Sequence, residues 1–365
     1  MSLKAGIVGL PNVGKSTLFN AITKKNILVA NYPFATIEPN VGIVTVPDER
    51  LTKLEEIYIP EELKPATFEF VDIAGIVKGA SLGEGLGNKF LSHIREVDAI
   101  VEVVRCFDDK EITHVDGSVD PIRDVEVINL ELALADLEII NNRIDKIKKK
   151  AETTKEKETV LEYNALTKAK ESLEKDIPLR LVDFTKDELL AIKGFNFLTL
   201  KPHIYLANIS ENEITTENDY VKKLKEYAKG ENSKVIVVSA KIESELAELE
   251  DSDKEEMLNE LGIEKSGLDK LIEESYNLLG LKTYFTCGPK EVKAWTYKDG
   301  MNAKECAGII HSDFEKGFIK AEVISYNDLI EAGSELKVKE NGKFRIEGKE
   351  YLMQDGDICH FRFNL

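Results

Sequence analysis

The chain has 365 residues, enough for two or three domains with cores of their own, and its 42% hydrophobic content is that of an ordinary globular protein. It has no apolar run long enough for a membrane span, and the short apolar stretch after Lys4 is too brief for a signal peptide. The formal net charge of −18 disfavours a general attraction to nucleic acid, and we expect no DNA partner. The four cysteines form no CxxC pair, which argues against a disulfide framework or a zinc site and predicts a cytoplasmic protein.

The first part of the chain alternates between apolar strands and a helix. Residues 3–8 have the composition of a buried strand, and residues 15–24 that of a helix. Further strands are predicted at 42–47, 67–72 and 98–105, the last two rich in valine, isoleucine and phenylalanine. This alternation predicts an α/β fold with a mostly parallel sheet.

A helical hairpin is predicted next. From Pro121 to Lys150, leucine and isoleucine recur every three or four residues without glycine or proline, beginning at Leu130 and ending at Ile147. A second charged helix is predicted over about 155–175, after a polar turn. The α/β pattern then resumes with strands at 203–207 and 235–238 and helices at 217–229 and 266–279. The hairpin is therefore predicted as an insertion in the α/β domain.

The C-terminal part has a different texture. Short β-rich segments are predicted at 283–286, 292–297, 319–324 and 358–363, with a helix at 303–310. They indicate a small α+β domain. We therefore expect a nucleotide-binding domain over 1–125 and 200–280, a helical insertion over 126–199, and a C-terminal domain over 281–365.

A phosphate-binding loop is the strongest functional signal. Residues 9–16, GLPNVGKS, match the pattern GxxxxGK[ST] between a strand and a helix. Backbone N–H groups and the start of the helix bind phosphates, the lysine reaches the β and γ phosphates, and the serine hydroxyl binds Mg²⁺. The predicted nucleotide contacts in this loop are Asn12, Val13, Gly14, Lys15, Ser16 and Thr17.

Two further positions fit a magnesium nucleotide. Asp72 ends a strand in the pattern Asp-x-x-Gly, so that it can hold Mg²⁺ through a water while the Gly75 N–H meets the γ phosphate. Thr36 lies between the two motifs and can close over the ion when the γ phosphate is present, although Thr45 is an alternative. The predicted metal ligands are Ser16, Thr36 and Asp72.

The expected base-reading motif departs from that of GTPases, which use Asn-Lys-x-Asp after a strand. The corresponding segment begins at Asn208 and Ile209 and ends at Glu211, so the lysine is missing and a longer acid replaces aspartate. The fit to guanine is thereby impaired, because lost polar pairing changes base discrimination, but adenine specificity does not follow from this alone. Ser239 and Ala240 follow the next strand and are predicted to border the base.

The residue that positions the attacking water is not identified by these motifs. Ile76 stands where Ras-like enzymes have glutamine, and isoleucine cannot orient water. His114, in a polar loop, is a candidate for this role beside Lys15, and the alternative is a merely solvated loop histidine. Asn12 is a candidate for holding K⁺ next to the phosphates.

Positive charge is unevenly distributed. Residues 141–175 carry more lysine and arginine than acid, and residues 281–365 are close to neutral, so the acidity is concentrated in the nucleotide-binding part. These two regions are the better candidates for an RNA contact. The alternative for Lys146 and residues 148–150 is an ordinary solvated helix face.

The motifs together resemble those of Obg-related translation-factor NTPases. This resemblance is carried by the phosphate loop, by NYPFATIEPNVG at 31–42 and by DIAGIVKGA at 72–80. It is narrowed to the YchF subfamily by three further segments, namely GEGLGNKF at 83–90, the Asn-x-x-Glu segment and the C-terminal HSDFEKGF. It implies an α/β P-loop NTPase (G-domain) with an inserted α-helical hairpin and a C-terminal β-grasp (ubiquitin-like, TGS) domain. It also implies slow hydrolysis of ATP in preference to GTP, ribosome association, an adenine contact near Ile209 and catalysis by His114.

The patterns and this resemblance together leave three functions open. The leading one is a Mg²⁺-dependent ATP-hydrolysing switch that binds the ribosome or ribosomal RNA and uses GTP weakly, with K⁺ as a possible second ion. A GTPase of the Obg class is the second. The third is a nucleotide sensor with negligible turnover, acting through protein partners.

Overall fold

The computed structural model of the chain describes residues 3–25, 40–73, 86–109, 111–115, 117–154 and 156–364. Thr36, Gly75 and Ile76 lie outside these ranges. Among the helices that are described, none combines the length and the apolar character needed to cross a membrane.

The strands and helices follow the predicted alternation and then the predicted change of texture. In chain order the strands are β1 (Lys4–Val8), β2 (Val41–Thr45), β3 (Glu62–Lys64), β4 (Thr67–Asp72), β5 (Ala99–Arg105), β6 (His203–Asn208), β7 (Lys234–Val238), β8 (Leu281–Cys287), β9 (Glu291–Lys298), β10 (Phe318–Ser325), β11 (Arg345–Glu347) and β12 (Asp357–Phe363). The helices are α1 (Lys15–Lys25), α2 (Glu49–Tyr58), α3 (Leu86–Glu96), α4 (Pro121–Thr154), α5 (Lys157–Leu173), α6 (Lys186–Ile192), α7 (Asp219–Gly230), α8 (Ala240–Leu246), α9 (Asp251–Glu260), α10 (Gly267–Leu278), α11 (Ala303–Ile310), α12 (Ser312–Lys316), α13 (Tyr326–Ala332) and α14 (Glu335–Glu340).

The first sheet has the strand order β2-β4-β1-β5-β6-β7. Its pairs β1–β4, β1–β5, β5–β6 and β6–β7 are parallel. Every residue of β5 and β6 is buried, as expected for central strands covered on both faces. The loops that follow β1, β5, β6 and β7 therefore meet at one edge of the sheet, which is where ligands bind in such folds.

Helices α4 and α5 form the predicted hairpin with a small core of its own. Ile140 and Ile147 of α4 pack with Leu166 and Leu173 of α5. The Arg143 guanidinium forms two hydrogen bonds with the Glu162 carboxylate, at 2.6 and 3.0 Å, and joins the two helices.

The first half of α4 uses a different face. Val125, Ile128 and Leu132 are buried there, and Val125 packs with Val104 and Tyr205 of the sheet. Leu130, which the periodicity placed on the buried face, is 50% exposed. That assignment was wrong, because the helix buries one stripe against the sheet and another against α5.

The second sheet has the strand order β11-β10-β12-β8-β9-β3 and is mixed. Strand pairs β10–β11, β10–β12 and β8–β9 are antiparallel, whereas β12–β8 and β3–β9 are parallel. Its core contains Tyr284, Tyr297 and Phe361 together with Ala303 and Cys306 of α11. This is the predicted C-terminal α+β layer, extended at one edge by a strand from the first part of the chain.

The chain divides into two compact units, Met1–Gly42 with Glu69–Lys270, and Ile43–Phe68 with Leu271–Leu365. The expected boundaries assigned all of 1–125 to the nucleotide-binding domain. Residues 43–68 group with the second unit because β3 pairs with β9 and Arg50 of α2 binds Asp355 at 2.9 Å. The insertion expected at 126–199 groups with the first unit, in keeping with the packing of α4 on the sheet.

Candidate nucleotide site

The phosphate loop joins β1 to α1 and is shaped by two left-handed residues. Asn12 has φ of 64° and Gly14 has φ of 96°. A Cβ on Gly14 would lie 2.2 Å from Nδ2 of Asn208, so the position requires glycine for space as well as for conformation. The Leu18 N–H donates to the Gly14 carbonyl at 3.0 Å, which starts the helix at the end of the loop.

Lys15 and Asp72 come together from separate elements, as the two motifs predict. Asp72 is the last residue of β4 and is paired in register with Ile7 of β1, so the carboxyl ends of the two strands deliver loop and carboxylate to one place. The Lys15 ammonium contacts Oδ1 of Asp72, and their side chains are 11% and 24% exposed. A partly exposed lysine–carboxylate pair at the start of a helix is suited to exchange its partners for phosphate and metal.

The remaining phosphate-loop residues differ in exposure. Ser16 and Thr17, in the first turn of α1, are exposed. Val13 is buried at 2% exposure and contributes only its main chain.

Asn208 holds three loops together through its side-chain amide. Nδ2 donates to the Val13 carbonyl at 2.8 Å, and Oδ1 accepts from the Ala240 N–H at 2.9 Å. The side chain is buried, as are Ser239 and Ala240. The structure thus brings these predicted base-site residues together, and it places the Asn208 amide between the loops as a clamp.

The residues expected to lie near the base differ in exposure. Ile209 is 3% exposed and packs with Val104 and Cys106, so little of its side chain is available to a ligand. The Glu211 carboxylate forms an ion pair with the Lys241 ammonium at 2.5 Å, and these side chains are 37% and 63% exposed. The hydrogen bond to Glu211 raises the pKa of Lys241. The acid at the specificity position is therefore already engaged by a cation.

His114 is buried, so the alternative of a solvated loop histidine is wrong. Its Nε2 lies 2.9 Å from Oδ2 of Asp124, and its Nδ1 lies 3.5 Å from Nη2 of Arg123. The Asn12 amide donates to the Thr113 carbonyl at 3.1 Å and thereby connects the phosphate loop to the residue before His114. The structure brings this loop to the site, and the catalytic role of His114 stays a prediction.

Sequence reasoning missed Arg105, which ends β5 and is 1% exposed. Its guanidinium donates to the carbonyls of Phe107, Asp109 and Ile112 at 3.0 to 3.1 Å. The guanidinium also lies over the Phe107 ring, 4.8 Å from the ring centroid. The available signal was a lone arginine at the end of an otherwise apolar strand, because a buried charge needs partners close by.

Two oxygen donors near the phosphate loop suit Mg²⁺. Within the described ranges no group of three or more histidine, cysteine, aspartate or glutamate side chains could hold a metal ion. Ser16 follows Lys15 in the chain and offers a hydroxyl, and Asp72, which contacts Lys15, offers a single carboxylate. Mg²⁺ prefers such hard oxygen ligands and takes its others from water and phosphate, so these residues fit the ion.

Comparison with known proteins places this site in a family. Residues 4–164 match the family model described as "50S ribosome-binding GTPase", and residues 281–364 match that of the YchF C-terminal region, described as "Protein of unknown function (DUF933)". The chain is 60% identical over 367 residues to the "Ribosome-binding ATPase YchF" of Bacillus subtilis and 51% identical over 365 residues to that of Escherichia coli O157:H7, each alignment covering both chains completely. A solved structure titled "Structure of the Schizosaccharomyces pombe YchF GTPase" superimposes with a TM-score of 0.91 at 43% identity, covering 99% of this chain and 98% of that one.

Proposed function

The chain belongs to the YchF family, and from that premise we propose that it is an ATPase that binds ATP with Mg²⁺, hydrolyses it and associates with the ribosome. The observation that carries the enzymatic part is the contact of Lys15 with Asp72 at the end of the phosphate loop. The two residues come from different motifs and meet where a P-loop enzyme needs its phosphate cation and its metal carboxylate.

Ser16 and Asp72 would hold Mg²⁺, with Thr36 proposed as a third ligand. When bound, the ion neutralises charge on the β and γ phosphates. Lys15 binds the same phosphates as a point charge, and the N–H groups of the loop and of the first turn of α1 fix their orientation. Gly75 is proposed to meet the γ phosphate through its N–H.

Preference for ATP over GTP is supported by the base side of the site. Guanine recognition needs an acid that is free to accept two hydrogen bonds, and the Glu211 carboxylate is paired with Lys241. The family names of the relatives differ on this point, since the bacterial proteins are named ATPases and the fission yeast structure is titled a GTPase. Glu211 is still a carboxylate at the specificity position, which makes a GTPase the second candidate function.

Catalysis is proposed to use Lys15 and His114, with K⁺ as a possible additional ion. The contact between Asn12 and the Thr113 carbonyl supports the role of His114, because it brings the histidine loop to the phosphate loop. The K⁺ proposal rests on Asn12 alone, whose Nδ2 is engaged by that contact and whose Oδ1 would have to bind the ion.

Ribosome association is proposed to use the basic part of the hairpin and the C-terminal unit. Lys146, Lys148 and Lys149 are exposed near the end of α4, and no ion pair to a described residue is found for them. Lysines without acidic partners are available to phosphates of RNA. A ribosome-binding ATPase would work in the cytoplasm, which is the proposed location.

The nucleotide test measures the affinity and hydrolysis of ATP and GTP side by side, in K⁺ and in Na⁺, with Mg²⁺ and with EDTA. We expect tighter ATP binding, and turnover that EDTA abolishes. Lys15→Ala should abolish turnover, whereas Lys24→Ala, which removes an exposed lysine further along the same helix, should not. Tighter GTP binding would move the protein to the second candidate, and equal turnover in K⁺ and Na⁺ would remove K⁺ from the proposal.

The ribosome test is cosedimentation in the presence of an ATP analogue, ADP or no nucleotide. Reversal of charge at Lys146, Lys148 and Lys149 should weaken binding. The matched control reverses three exposed lysines of α7, namely Lys222, Lys223 and Lys225, and should leave binding intact. Equal binding in all three nucleotide states would contradict a switch, and intact binding after reversal on α4 would exclude that surface.

A further inference from the structure

Helix α4 holds His114 through two consecutive residues of its first turn. Asp124 accepts at 2.9 Å from one side of the imidazole ring, and Arg123 lies 3.5 Å from the nitrogen on the other side. The side chains of His114 and Asp124 are each 4% exposed. The predicted catalytic histidine is therefore one member of a buried polar group built on the helical insertion.

The two partners hold the histidine with different strength. The Asp124 contact is short and buried, and a carboxylate next to one ring nitrogen fixes both the ring and its tautomer. Arg123 lies further from the ring, its side chain is 31% exposed, and its guanidinium also donates to the Ser118 carbonyl at 2.6 Å and to Asp124 at 2.9 Å. Arg123 therefore neutralises the buried Asp124 carboxylate and also lies beside the ring.

The backbone around this group is fixed on both sides. Arg105 holds the loop before the histidine through three carbonyls, and the Asn12 amide holds the Thr113 carbonyl next to it. After the histidine, Asp120 accepts from the Ile122 and Arg123 N–H groups at 3.2 and 3.3 Å and caps the start of α4. The ring is therefore held between a loop tied to the phosphate loop and the first turn of a long helix.

We propose that Asp124 is the positioning residue for His114 in ATP hydrolysis, because it fixes which ring nitrogen carries the proton. This inference rests on the catalytic role of His114 in the proposed function. With Asp124 accepting from Nε2–H, the neutral ring has its lone pair on Nδ1. Nδ1 is then the ring nitrogen that can act on the attacking water.

The step balances without another reactant. The water oxygen forms a bond to the γ phosphorus, the bond to the β–γ bridging oxygen breaks, and ADP leaves. The proton of the water ends on the inorganic phosphate, either directly or after passing through His114 Nδ1. Asp124 stays ionised and holds the same hydrogen bond throughout, as in other carboxylate–histidine pairs.

The test is a set of variants of the full chain, each assayed for ATP turnover and for ATP dissociation constant. Asp124→Asn should lower kcat about tenfold or more and leave the dissociation constant within about twofold, because an amide cannot select the same tautomer. Glu126→Gln is the matched control, since it neutralises an exposed acid two residues further along the same helix, and it should change neither quantity.

A double-mutant cycle separates positioning from general stabilisation. In the His114→Ala background, Asp124→Asn should cause no further loss of kcat, because the ring it orients is gone. An equal loss in both backgrounds would show a structural role and overturn the inference. An unchanged kcat in Asp124→Asn with His114→Ala impaired would overturn it as well, while leaving the catalytic histidine in place.

Asp124→Glu keeps the charge and moves the carboxylate, so it tests the positioning role even if Asp124→Asn fails to fold. It should lower kcat at constant ATP affinity in the unaltered background and not in the His114→Ala background, and an equal effect in both would contradict the positioning role. If His114→Ala turns over like the unaltered protein, the histidine mechanism of the proposed function fails, and with it the premise of this inference. These outcomes distinguish a failure of the premise from a failure of the positioning role.

Discussion

The two halves of the proposed nucleotide site, a phosphate half at residues 9–17 and a base half at Asn208, Glu211 and Ala240, are built by different means. The phosphate half consists of main chain held in strained or crowded conformations, with Asn12 and Gly14 left-handed and the missing Cβ of Gly14 leaving room for Asn208. The base half ends in an exposed ion pair between Glu211 and Lys241. A substitution in main chain that is packed this closely disrupts the loop. An exposed ion pair contributes little free energy and can be replaced without such a loss. We therefore expect phosphate binding to be fixed and base choice to be adjustable.

The largest effect is expected from Gly14→Ala. The new Cβ meets Nδ2 of Asn208, and an alanine with φ near 96° is strained as well. A cost of about 3 kcal/mol taken from binding corresponds to about a hundredfold weaker affinity, and it should apply to ATP and GTP alike. Isothermal titration with both nucleotides measures it.

Gly262→Ala is the control for the Gly14 variant. Gly262 has φ of 70°, and a Cβ added there would meet no atom within 4 Å, so it shares the strain without the contact. Its nucleotide affinity should match that of the unaltered protein. Wild-type affinity in Gly14→Ala would show that the loop has more room than the structure gives it.

Asn208→Ala should have the next largest effect, because Asn208 joins the two halves. Its loss leaves the Val13 carbonyl and the Ala240 N–H without their partner in a buried place, which costs about 2 to 4 kcal/mol of unfolding free energy. Affinity for ATP and GTP should fall together by about tenfold. Urea unfolding and nucleotide titration measure the two effects.

Asn218→Ala is matched to it in chemistry. The Asn218 amide also bridges a carbonyl and an N–H, those of Cys106 and Val221, at 2.8 and 2.9 Å. Asn218→Ala should lower the free energy of unfolding and leave the nucleotide affinity of the folded protein unchanged. If Asn208→Ala changes the preference between ATP and GTP, then Asn208 contacts the base directly and is more than a clamp.

A smaller effect, confined to base choice, is expected from Lys241→Ala. Removal of the ammonium frees the Glu211 carboxylate to accept hydrogen bonds from guanine, so GTP affinity should rise relative to ATP. Exposed ion pairs contribute about 0.2 to 1 kcal/mol, which limits the change in the affinity ratio to about fivefold. Lys222→Ala removes a comparable exposed partner of Asp219 and should leave the ratio unchanged. An unaltered ratio in Lys241→Ala would mean that the length of Glu211, not its pairing, disfavours guanine.

The difference between the halves also explains what the sequence could predict. The phosphate half is local: a strand, a short loop and a helix follow one another directly along the chain, and the spacing of Gly9, Gly14 and Lys15 carries the geometry. The base half depends on contacts between distant residues, such as Asn208 with Val13 and Glu211 with Lys241. The motif gives the identity of these residues, but not that one would act as a clamp and the other as an ion pair.

The histidine loop and the second unit show the same limit. His114 was identified as a candidate, but its partners Arg123 and Asp124 lie in the first turn of a helix that the pattern assigned only by its apolar spacing. The pairing of β3 with β9 joins distant parts of the chain, and so short a strand has no periodicity to detect. Secondary structure was predictable where the pattern is long, and side-chain partnerships across the fold were not.

The smallest effect on nucleotide binding is expected from Glu102→Gln, in the scaffold that both halves share. Glu102 of β5 and His203 of β6 are fully buried, with Oε2 and Nε2 3.0 Å apart. Burial raises the pKa of Glu102 well above its ordinary value and lowers the pKa of His203 well below its own. Both shifts favour the neutral form of each group in the folded protein.

The sign of the pH dependence follows from linkage. The folded state retains the Glu102 proton above about pH 4.3, where an unfolded glutamate loses it, so this group makes stability fall as pH rises toward its folded pKa. His203 acts in the opposite sense only below about pH 6.5, where the unfolded state binds the extra proton. Glu102→Gln removes the Glu102 contribution and leaves that of His203, while an amide N–H can still donate to the ring.

Glu102→Gln should therefore gain stability relative to the unaltered protein as pH rises from about 4.3 toward the raised folded pKa of Glu102, by up to about 1.4 kcal/mol per pH unit. Urea unfolding at several pH values measures this, with Glu138→Gln on the exposed face of α4 as the control. The ratio of ATP to GTP affinity should stay constant, because neither half of the site is touched. A pH-independent difference in stability would show that Glu102 is ionised in the folded state and that His203 carries the proton, which would make the pair a buried ion pair beneath the nucleotide site.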